Sequence, residues 1–338
     1  MLPLVAPTAL FEFAFDPVVE IGGIGVRLET IGVAVAIFVG LVAAALVARQ
    51  TPVEPTRPAD APGPEPGELN HLRADDLLYI AVAAVPGAVI GGRIGYALIH
   101  LDYYRSDLGR LLDSGQGGFQ LSLALVGGVF TAAIVARLLG VPLGRWMHAL
   151  AMPLLLVLAG GKAAMILGGS GQGQLTDVSW ATAYLGPGPW GSLAPQLPAH
   201  PAQAYESLAT VVVLLVVAWF LALGTFTGRN GGALFLALGL WAIARALVAT
   251  TWRDPQVIGP LRVDQVISFG IAFTALVLMA TVGGVSSVRG RRRGSGAGAT
   301  PSATIPVAAP GAPATGLPVT PAGEDGVEWP DPERRPRI

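Results

Sequence analysis

Long apolar runs dominate the pattern of hydrophobic and polar positions along the chain. Seven of them are long enough to cross a bilayer as helices, because about 20 apolar residues span roughly 30 Å of hydrocarbon. They lie at about residues 31–48, 77–99, 119–139, 147–168, 207–226, 233–252 and 263–284. The runs lack the ten-residue alternation that is typical of outer-membrane strands. The pattern therefore predicts an all-α, polytopic integral membrane protein with seven transmembrane helices.

Composition supports a membrane protein. Of the 338 residues, 52% are hydrophobic and only 13% are charged, and the mean hydropathy is +0.60. A soluble domain of this size needs far more surface charge. The net charge of −1 argues against a nucleic-acid partner. Cysteine is absent, which excludes a nucleophilic thiol or a thiolate metal site within the chain, and we expect no cofactor.

The arginines indicate an orientation. With the C-terminus in the cytoplasm, ten arginines lie on the cytoplasmic side and five on the other, as the positive-inside rule requires. This predicts a periplasmic N-terminal segment at 1–30 and a membrane domain at 31–288. Within that domain, 51–74 is a Pro-rich cytoplasmic linker and 169–206 a periplasmic loop. The Ala-, Pro- and Gly-rich segment 289–338 is predicted to be a disordered cytoplasmic tail.

Ionisable and polar residues interrupt the spans at five places, all but one near the outer ends. Each ionisable group there costs about 3 kcal/mol on insertion scales and needs a partner or a function. The places are Arg93 in 91-GGRIGYALIH-100, Lys162 in 160-GGKAAMILGG-169, the group His200, Gln203, Tyr205 and Glu206 in 200-HPAQAYES-207, Arg245 within the sixth span, and Asp264 with Gln265 at the start of the seventh. The positions predict one polar cavity that faces the outer leaflet.

Simpler interpretations exist for most of these residues. Arg93 and Lys162 are long enough to reach the lipid headgroups without a specific ligand. Glu206 can be a helix N-terminal carboxylate paired with a cation, and His200 before a proline can be an ordinary loop residue. Arg245 lies about eight residues from the end of its span, near the limit of such reach, and this favours a function.

Paired glycines form a second pattern. The pairs stand at 91–92, 127–128, 160–161 and 168–169. Close helix packing explains most of them. Beside the cations, they also predict a wall of exposed backbone N–H groups for an anionic phosphate, with Gly127 and Gly128 as candidate phosphate-binding residues.

Three segments resemble a known family. The stretch 200-HPAQAYE-206 resembles the H-P-[TA]-Q-x-Y-E signature of prolipoprotein diacylglyceryl transferases, 91-GGRIGYAL-98 is similar to their G-[AG]-R-x-G-Y run, and 252-WRDPQ-256 is similar to F-R-x-P. The resemblance covers about residues 20–285. It implies transfer of a diacylglyceryl group from phosphatidylglycerol to the lipobox cysteine thiol of a pre-lipoprotein, at the outer face of the bacterial inner membrane. Glycerol phosphate is the leaving group.

The resemblance also implies roles for particular residues. Catalytic roles fall on His200, Tyr205, Glu206 and Arg245. Arg93, Lys162 and Arg245 are the cations expected to hold the phosphate of phosphatidylglycerol, since a departing phosphate needs positive charge beside it. The nucleophilic thiol belongs to the protein substrate, so a chain without cysteine is compatible with the reaction.

Several positions depart from the family pattern. Val126 stands where the family has a histidine in S-F-H-G-G, Lys162 replaces an arginine, Met165 an asparagine, Glu29 a tyrosine and Ala249 a glutamate. Two alternatives therefore stay open beside the enzyme: an inactive homologue that binds phosphatidylglycerol or a lipoprotein precursor and, more remotely, a transporter or channel. The chain shows no inverted repeat, which argues against the transporter.

Overall fold

The computed structural model describes residues 11–53, 70–111, 118–186, 197–228 and 230–296. Within these ranges the chain forms eight α-helices and four two-stranded sheets. The helices are α1 (Leu28–Gln50), α2 (Ala74–Ile99), α3 (Leu101–Arg105), α4 (Leu121–Leu138), α5 (Leu143–Met165), α6 (Ala202–Ala222), α7 (Gly232–Val248) and α8 (Val263–Gly296). Short 3₁₀ turns follow α3, α5 and α7 at Leu108–Leu111, Ile166–Gly168 and Ala249–Thr251.

Seven of these helices, all except α3, are long and apolar enough to cross a membrane. The prediction of an all-α polytopic membrane protein is therefore confirmed. The start of the fifth span was predicted wrongly, because α6 begins at Ala202 and not at 207. Gln203 and Glu206 lower the local hydropathy, yet both side chains are buried inside the bundle, where polar contacts replace water.

The strands are short and lie at the helix ends. They are β1 (Phe11–Phe13), β2 (Val18–Ile21), β3 (Ile24–Arg27), β4 (Pro52–Val53), β5 (Asn70–His71), β6 (Thr182–Tyr184), β7 (Gln256–Ile258) and β8 (Leu261–Arg262). Strand β1 pairs in parallel with β6, and the other three sheets are antiparallel pairs of consecutive strands. Gly22 and Gly23 have φ angles of 61° and 82° in the β2–β3 turn, which is the backbone that a tight two-residue hairpin requires.

Helices α2 and α4 pack against each other through glycines. A Cβ atom on Gly87 would overlap the carbonyl oxygen of Gly127, and a Cβ on Gly127 would overlap that of Gly87. One turn further along α2, a Cβ on Gly91 would overlap the carbonyl of Leu123. Glycines four residues apart let two membrane helices approach to backbone contact, so α2 and α4 form a closely packed hairpin.

A second group of helices is built on α5. Gly32 and Gly40 of α1 face Ala164 and Val157 of α5, at distances that leave no room for a side chain. On another side of α5, buried apolar side chains join it to α6 and α7 in one core cluster. This arrangement places the C-terminal ends of α5 and α7 beside the N-terminal end of α6.

An apolar cavity of about 330 Å³ separates the α2–α4 hairpin from α1 and α5. Its lining includes Ala44, Leu77, Ala136 and Trp146. These residues lie in the C-terminal halves of α1 and α4 and in the N-terminal parts of α2 and α5. The lining also includes Ala124 and Leu125 near the start of α4, so the cavity runs along most of that helix.

The predicted segments between the spans are partly structured. The N-terminal segment contains β1, β2 and β3, and α1 begins at Leu28. Helix α8 continues to Gly296, through the first residues of the predicted tail, since arginine is a good helix former. Most of the predicted linker, at 54–69, lies outside the described residues, as do 1–10, 187–196 and the rest of the tail from 297.

Candidate active site

Arg245 is the centre of a buried polar cluster. Its Nε donates a hydrogen bond to Ser122 Oγ at 2.8 Å, its Nη1 donates to Glu206 Oε1, and its Nη2 lies 3.3 Å and 3.4 Å from the two oxygens of Asp264. The residue is only 2% exposed. All three guanidinium nitrogens are thus engaged by side chains from three other helices.

Glu206 connects Arg245 to the second cation. Lys162 Nζ lies 3.0 Å from Glu206 Oε2, and the side chain of Lys162 retains 10% exposure against 1% for Glu206. Together with Asp264, the cluster holds two cations and two carboxylates, so its formal charge is zero. Burial of ions without partners is expensive, and this balance accounts for four ionic side chains inside one membrane bundle.

Gln120 holds Asp264 from the opposite side. Its Nε2 donates to Asp264 Oδ1 at 2.5 Å, and its Oε1 accepts a hydrogen bond from the backbone N–H of Leu123 at 2.6 Å. Gln120 is the N-cap residue of α4, so the cap fixes its amide group. The bond to Gln120 is shorter than the contacts between Asp264 and Arg245, which makes Arg245 Nη2 the most loosely held donor of the cluster.

Two tryptophans cover the cations. The Trp252 ring centre lies 4.3 Å from Arg245 Cζ and 5.0 Å from Lys162 Nζ, and the Trp241 ring centre lies 5.6 Å from Arg245 Cζ. Cations over aromatic faces are attracted by the ring quadrupole, more strongly where water is excluded. The rings therefore stabilise both charges and shield them from lipid.

Asp254 stands where this cluster meets the outside of the bundle. It lies between α7 and β7, and its backbone oxygen accepts a hydrogen bond from Arg262 Nη1 at 2.6 Å. Burial and the negative charge of Asp264 raise the pKa of Asp254 from 3.8 to about 7, against the opposing effects of Arg245 and Arg262. Asp254 therefore keeps its proton at pH values where an ordinary aspartate is ionised.

The raised pKa of Asp254 predicts a pH dependence of stability. Between pH 3.8 and about 7 the folded protein holds a proton that the unfolded chain has lost, so the contribution of this group to stability falls as pH rises through that window. Asp254→Asn should therefore gain stability relative to wild type between about pH 5 and about pH 8. Thermal unfolding in detergent at both pH values measures this change.

A matched control is Asp102→Asn, because the Asp102 side chain is 99% exposed. The stability difference between this variant and wild type should stay the same at the two pH values. A difference between Asp254→Asn and wild type that is equally independent of pH would contradict the assignment.

His200 and Tyr205 belong to a neighbouring polar group. His200 Nδ1 lies 3.4 Å from Tyr205 Oη, which also accepts a hydrogen bond from Trp180 Nε1 at 2.6 Å. The backbone of His200 is held by Gly173 and Gln174 through two hydrogen bonds of 2.8 Å and 2.9 Å. Both side chains are half-buried, and they face the loop after α5.

Gln203 fastens the start of α6 to β6. Its Nε2 donates to Tyr184 Oη at 3.2 Å, and Tyr184 Oη donates to the carbonyl of Ile166 at 2.9 Å. Burial raises the pKa of Tyr184 to about 12, so its hydroxyl keeps its proton at any physiological pH. This contact fixes the helix turn from which Glu206 projects.

Arg93 has different partners from the cluster. Its Nε donates to the carbonyl of Leu111 at 2.8 Å and its Nη2 to that of Arg110 at 2.7 Å. The guanidinium carbon lies 5.7 Å from the ring centre of Tyr104. The structure thus brings Lys162, Glu206 and Arg245 together as predicted, and places Arg93 beside the segment that follows α3.

The structure corrects one further expectation. Gly127 and Gly128 lie in the interior of α4, where the helix uses their N–H groups, so these groups do not form a phosphate-binding wall. Val126, which the resemblance places opposite a family histidine, is 44% exposed.

Sequence reasoning missed several members of the cluster. Asp264 was recognised as a polar residue at a span end, but Ser122 and Gln120 carry no charge and attracted no attention. Trp241 and Trp252 were interpreted as interfacial or packing residues. The spacing of Trp241, four residues before Arg245 in α7, was an available signal, because this interval places two side chains on one helix face. Trp252 lies beyond the end of α7 and gave no such signal.

The fold and the cluster define a class: a seven-span membrane protein with a charge-balanced polar site inside one end of its bundle. A family model described as "Prolipoprotein diacylglyceryl transferase" matches residues 17–281. The chain belongs to the prolipoprotein diacylglyceryl transferase family, which is a family of transferases.

Individual relatives agree with this assignment. The chain is similar to proteins called phosphatidylglycerol–prolipoprotein diacylglyceryl transferase from a Nostoc species, from Geobacter sulfurreducens and from Clostridioides difficile. The Nostoc protein is 28% identical over 278 residues, which cover 80% of this chain and 90% of the relative. The Geobacter protein is 28% identical over 219 residues, which cover 62% of this chain and 80% of the relative. The Clostridioides protein is 24% identical over 197 residues, which cover 58% of this chain and 74% of the relative.

Proposed function

We propose that this protein transfers the diacylglyceryl group of phosphatidylglycerol to the lipobox cysteine thiol of a pre-lipoprotein. The observation that carries the proposal is the meeting of Lys162, Glu206 and Arg245 inside a member of this family. In the reaction, the thiol sulfur forms a bond to the terminal glycerol carbon of the diacylglyceryl group. The bond between that carbon and the phosphate oxygen breaks, and glycerol phosphate leaves.

Lys162 is the first contact for the lipid phosphate. An ammonium group has three N–H donors, and Glu206 occupies only one of its directions. Lys162 also retains more exposure than its partners. A phosphate that approaches Lys162 next meets Arg245 Nη2, whose contacts to Asp264 of 3.3 Å and 3.4 Å are longer than the usual 2.7–2.9 Å of charge-assisted bonds. When Arg245 Nη2 exchanges Asp264 for the lipid phosphate, the phosphate is held by a second cation.

The cluster then assists the departure of glycerol phosphate. Negative charge grows on the phosphate as the carbon–oxygen bond breaks, and fixed cations in a water-poor site stabilise that charge strongly. Glu206 keeps both cations in place. His200 and Tyr205, on the half-buried side of the site, are placed to orient the peptide substrate, and Arg93 to contact a lipid headgroup.

The proposed location follows from the same chemistry and from the arginine distribution. Lipobox cysteines reach the site from the outer face of the inner membrane, so the cluster end of the bundle faces the periplasm. The opposite end then carries Arg49, Arg73, Arg137 and Arg145 near helix ends, as the positive-inside rule requires.

The function is tested by transfer in a defined system. Purified wild-type protein should attach a diacylglyceryl group to a lipobox peptide in phosphatidylglycerol vesicles, with release of one glycerol phosphate per product. Peptides with serine in place of the cysteine should give none. Expression in cells depleted of their own transferase should restore lipid attachment to a reporter lipoprotein. An inactive wild-type protein that still binds phosphatidylglycerol would instead support the inactive homologue.

Lys162→Met should weaken lipid use more than it weakens catalysis. Loss of a hydrogen bond from a charged group costs about 1.5–3 kcal/mol, so we expect the KM for phosphatidylglycerol to rise by about 10- to 100-fold. Glu206 stays paired with Arg245 in this variant, which preserves the fold. Initial rates over a series of lipid concentrations measure the effect.

Two further variants serve as controls for that result. Lys162→Arg keeps the charge and should keep most of the lipid affinity, whereas Arg105→Met removes a cation that is 68% exposed and should leave the KM unchanged. A wild-type KM in Lys162→Met would mean that the phosphate binds elsewhere.

A further inference from the structure

Two buried glutamines are held by neighbouring positions of β6. Gln203 is 1% exposed and Gln172 is 8% exposed. The amide nitrogen of Gln203 donates to Tyr184 Oη at 3.2 Å, and that of Gln172 lies 3.4 Å from both the carbonyl oxygen and the hydroxyl of Thr182. Thr182 and Tyr184 are two residues apart in the strand, so their side chains lie on one face of it. The strand therefore holds both amide groups on the same side.

Each of these amides presents an oxygen that has no donor. Tyr184 Oη donates its proton to the carbonyl of Ile166 at 2.9 Å, so it accepts from Gln203 Nε2 and leaves Gln203 Oε1 turned away. Among the described residues, neither Gln203 Oε1 nor Gln172 Oε1 has a hydrogen-bond partner, although both atoms are buried. A buried acceptor without a donor is costly. Two such acceptors together indicate a ligand that donates hydrogen bonds.

The two acceptors lie on the same side of the bundle as the cations. Gln203 and Glu206 are three residues apart in α6, which places their Cβ atoms about 5–6 Å apart on one helix face. Glu206 Oε2 contacts Lys162 Nζ at 3.0 Å. A Cβ atom on Gly171 would lie 3.5 Å from Gln203 Cβ, so the loop after α5 brings Gln172 to the same place. The alcohol headgroup of a lipid phosphate bound to Lys162 is thus within reach of both glutamines.

We propose that Gln172 and Gln203 accept hydrogen bonds from the two hydroxyl groups of the glycerol headgroup of phosphatidylglycerol. The inference rests on the proposed function and adds to it two residues that determine lipid specificity. An amide oxygen accepts hydrogen bonds and cannot donate them, so it binds an O–H group and gains nothing from a headgroup without a donor. The headgroup has two hydroxyls, and the site has two acceptor oxygens.

The charges of the cluster disfavour other headgroups. An ethanolamine headgroup would bring a third cation to Lys162 and Arg245, and like charges repel strongly where water is scarce. Glu206 is the nearest carboxylate, and it already pairs with both cations. Choline has no N–H or O–H group, and phosphatidic acid has no alcohol. Uncharged hydroxyls are therefore the donors that suit these acceptors.

The first test compares transfer from phosphatidylglycerol with transfer from phosphatidylpropanol, whose three-carbon headgroup has no hydroxyl. Wild type should prefer phosphatidylglycerol by about 10- to 100-fold in kcat/KM, because the other lipid leaves both acceptors unpaired. Gln172→Met and Gln203→Met remove one acceptor each in a side chain of similar length. Each variant should lose about 3- to 10-fold of the preference, through a lower kcat/KM for phosphatidylglycerol alone.

The control variant is Gln256→Met. Gln256 is exposed in β7, which follows α7, so this variant should keep the lipid preference of wild type. A glutamine variant that slows transfer from both lipids by the same factor would overturn the proposal, since that glutamine would then only support the fold. Equal use of the two lipids by wild type would overturn it as well, without any variant.

Lipid binding separates this inference from the transfer function. Trp252 covers both cations, so tryptophan fluorescence should report the binding of each lipid to the protein in detergent. A wild-type protein that prefers phosphatidylglycerol in this titration but transfers nothing would refute the function and support the headgroup site. Transfer with no preference between the two lipids would support the function and refute the headgroup site.

Discussion

Arg245→Ala should abolish diacylglyceryl transfer and destabilise the protein at the same time. The side chain supplies one of two cations for the phosphate, and loss of one such donor costs about 10²–10³ in rate. The variant also leaves Glu206 with Lys162 alone and removes the ion pair that Asp264 forms within the described residues. Removal of one partner from a buried ion pair typically costs about 3–5 kcal/mol. Transfer to a lipobox peptide and thermal unfolding in detergent measure the two effects.

Comparison with two other variants separates charge from geometry. Arg245→Lys keeps the charge but cannot reach Ser122, Glu206 and Asp264 together, so we expect better stability than in the alanine variant and still a large loss of rate. Arg105→Ala, at an exposed surface pair, should retain both activity and stability. Full activity in Arg245→Ala would remove the cluster from any role in the reaction.

Gly127→Ala should separate two helices and disturb the site at a distance. The added methyl group would occupy the space of the Gly87 carbonyl oxygen, and the backbone cannot rotate away as a side chain can. Forced overpacking of this kind costs about 1–3 kcal/mol. Because Ser122 and Gln120 stand at the start of the same helix, a shift of α4 should also lower the transfer rate.

Gly161→Ala is the matched control. Gly161 also lies inside a membrane helix, yet nothing lies within 4 Å of the position that its Cβ would take. Alanine is favoured over glycine in helices by up to about 1 kcal/mol, so this variant should be slightly more stable than wild type. Tryptophan fluorescence during heating in detergent compares the two variants. Equal melting temperatures would contradict the close contact between α2 and α4.

The spans could be predicted from the sequence because a single physical requirement defines them. Every backbone group inside a bilayer must find a partner within the protein, so long apolar runs become helices. The start of α6 escaped this reasoning, since Gln203 and Glu206 lower the hydropathy although the bundle buries them. A hydropathy average contains no information on the hydrogen-bond and ion-pair partners that allow Gln203 and Glu206 to be buried.

The site could be predicted only in part for a related reason. Lys162, Glu206 and Arg245 are charged, and charge inside a membrane demands an explanation even before a structure is known. Ser122 and Gln120 are also found at ordinary helix starts, so their role became visible only through their contacts. Gly127 was assigned to the phosphate because the sequence does not reveal which neighbour a small residue faces.

The charge balance of the cluster bears on how the chain enters the membrane during synthesis. In chain order the ionic residues alternate in sign: Lys162, then Glu206, then Arg245, then Asp264. Each of the last three spans therefore meets an opposite charge that was inserted before it. Insertion of a lone ion costs about 2.5–3.5 kcal/mol on the translocon scale, and this sequence lets each new helix offset that cost with its predecessor. The order of the residues thus favours insertion of the bundle one span at a time.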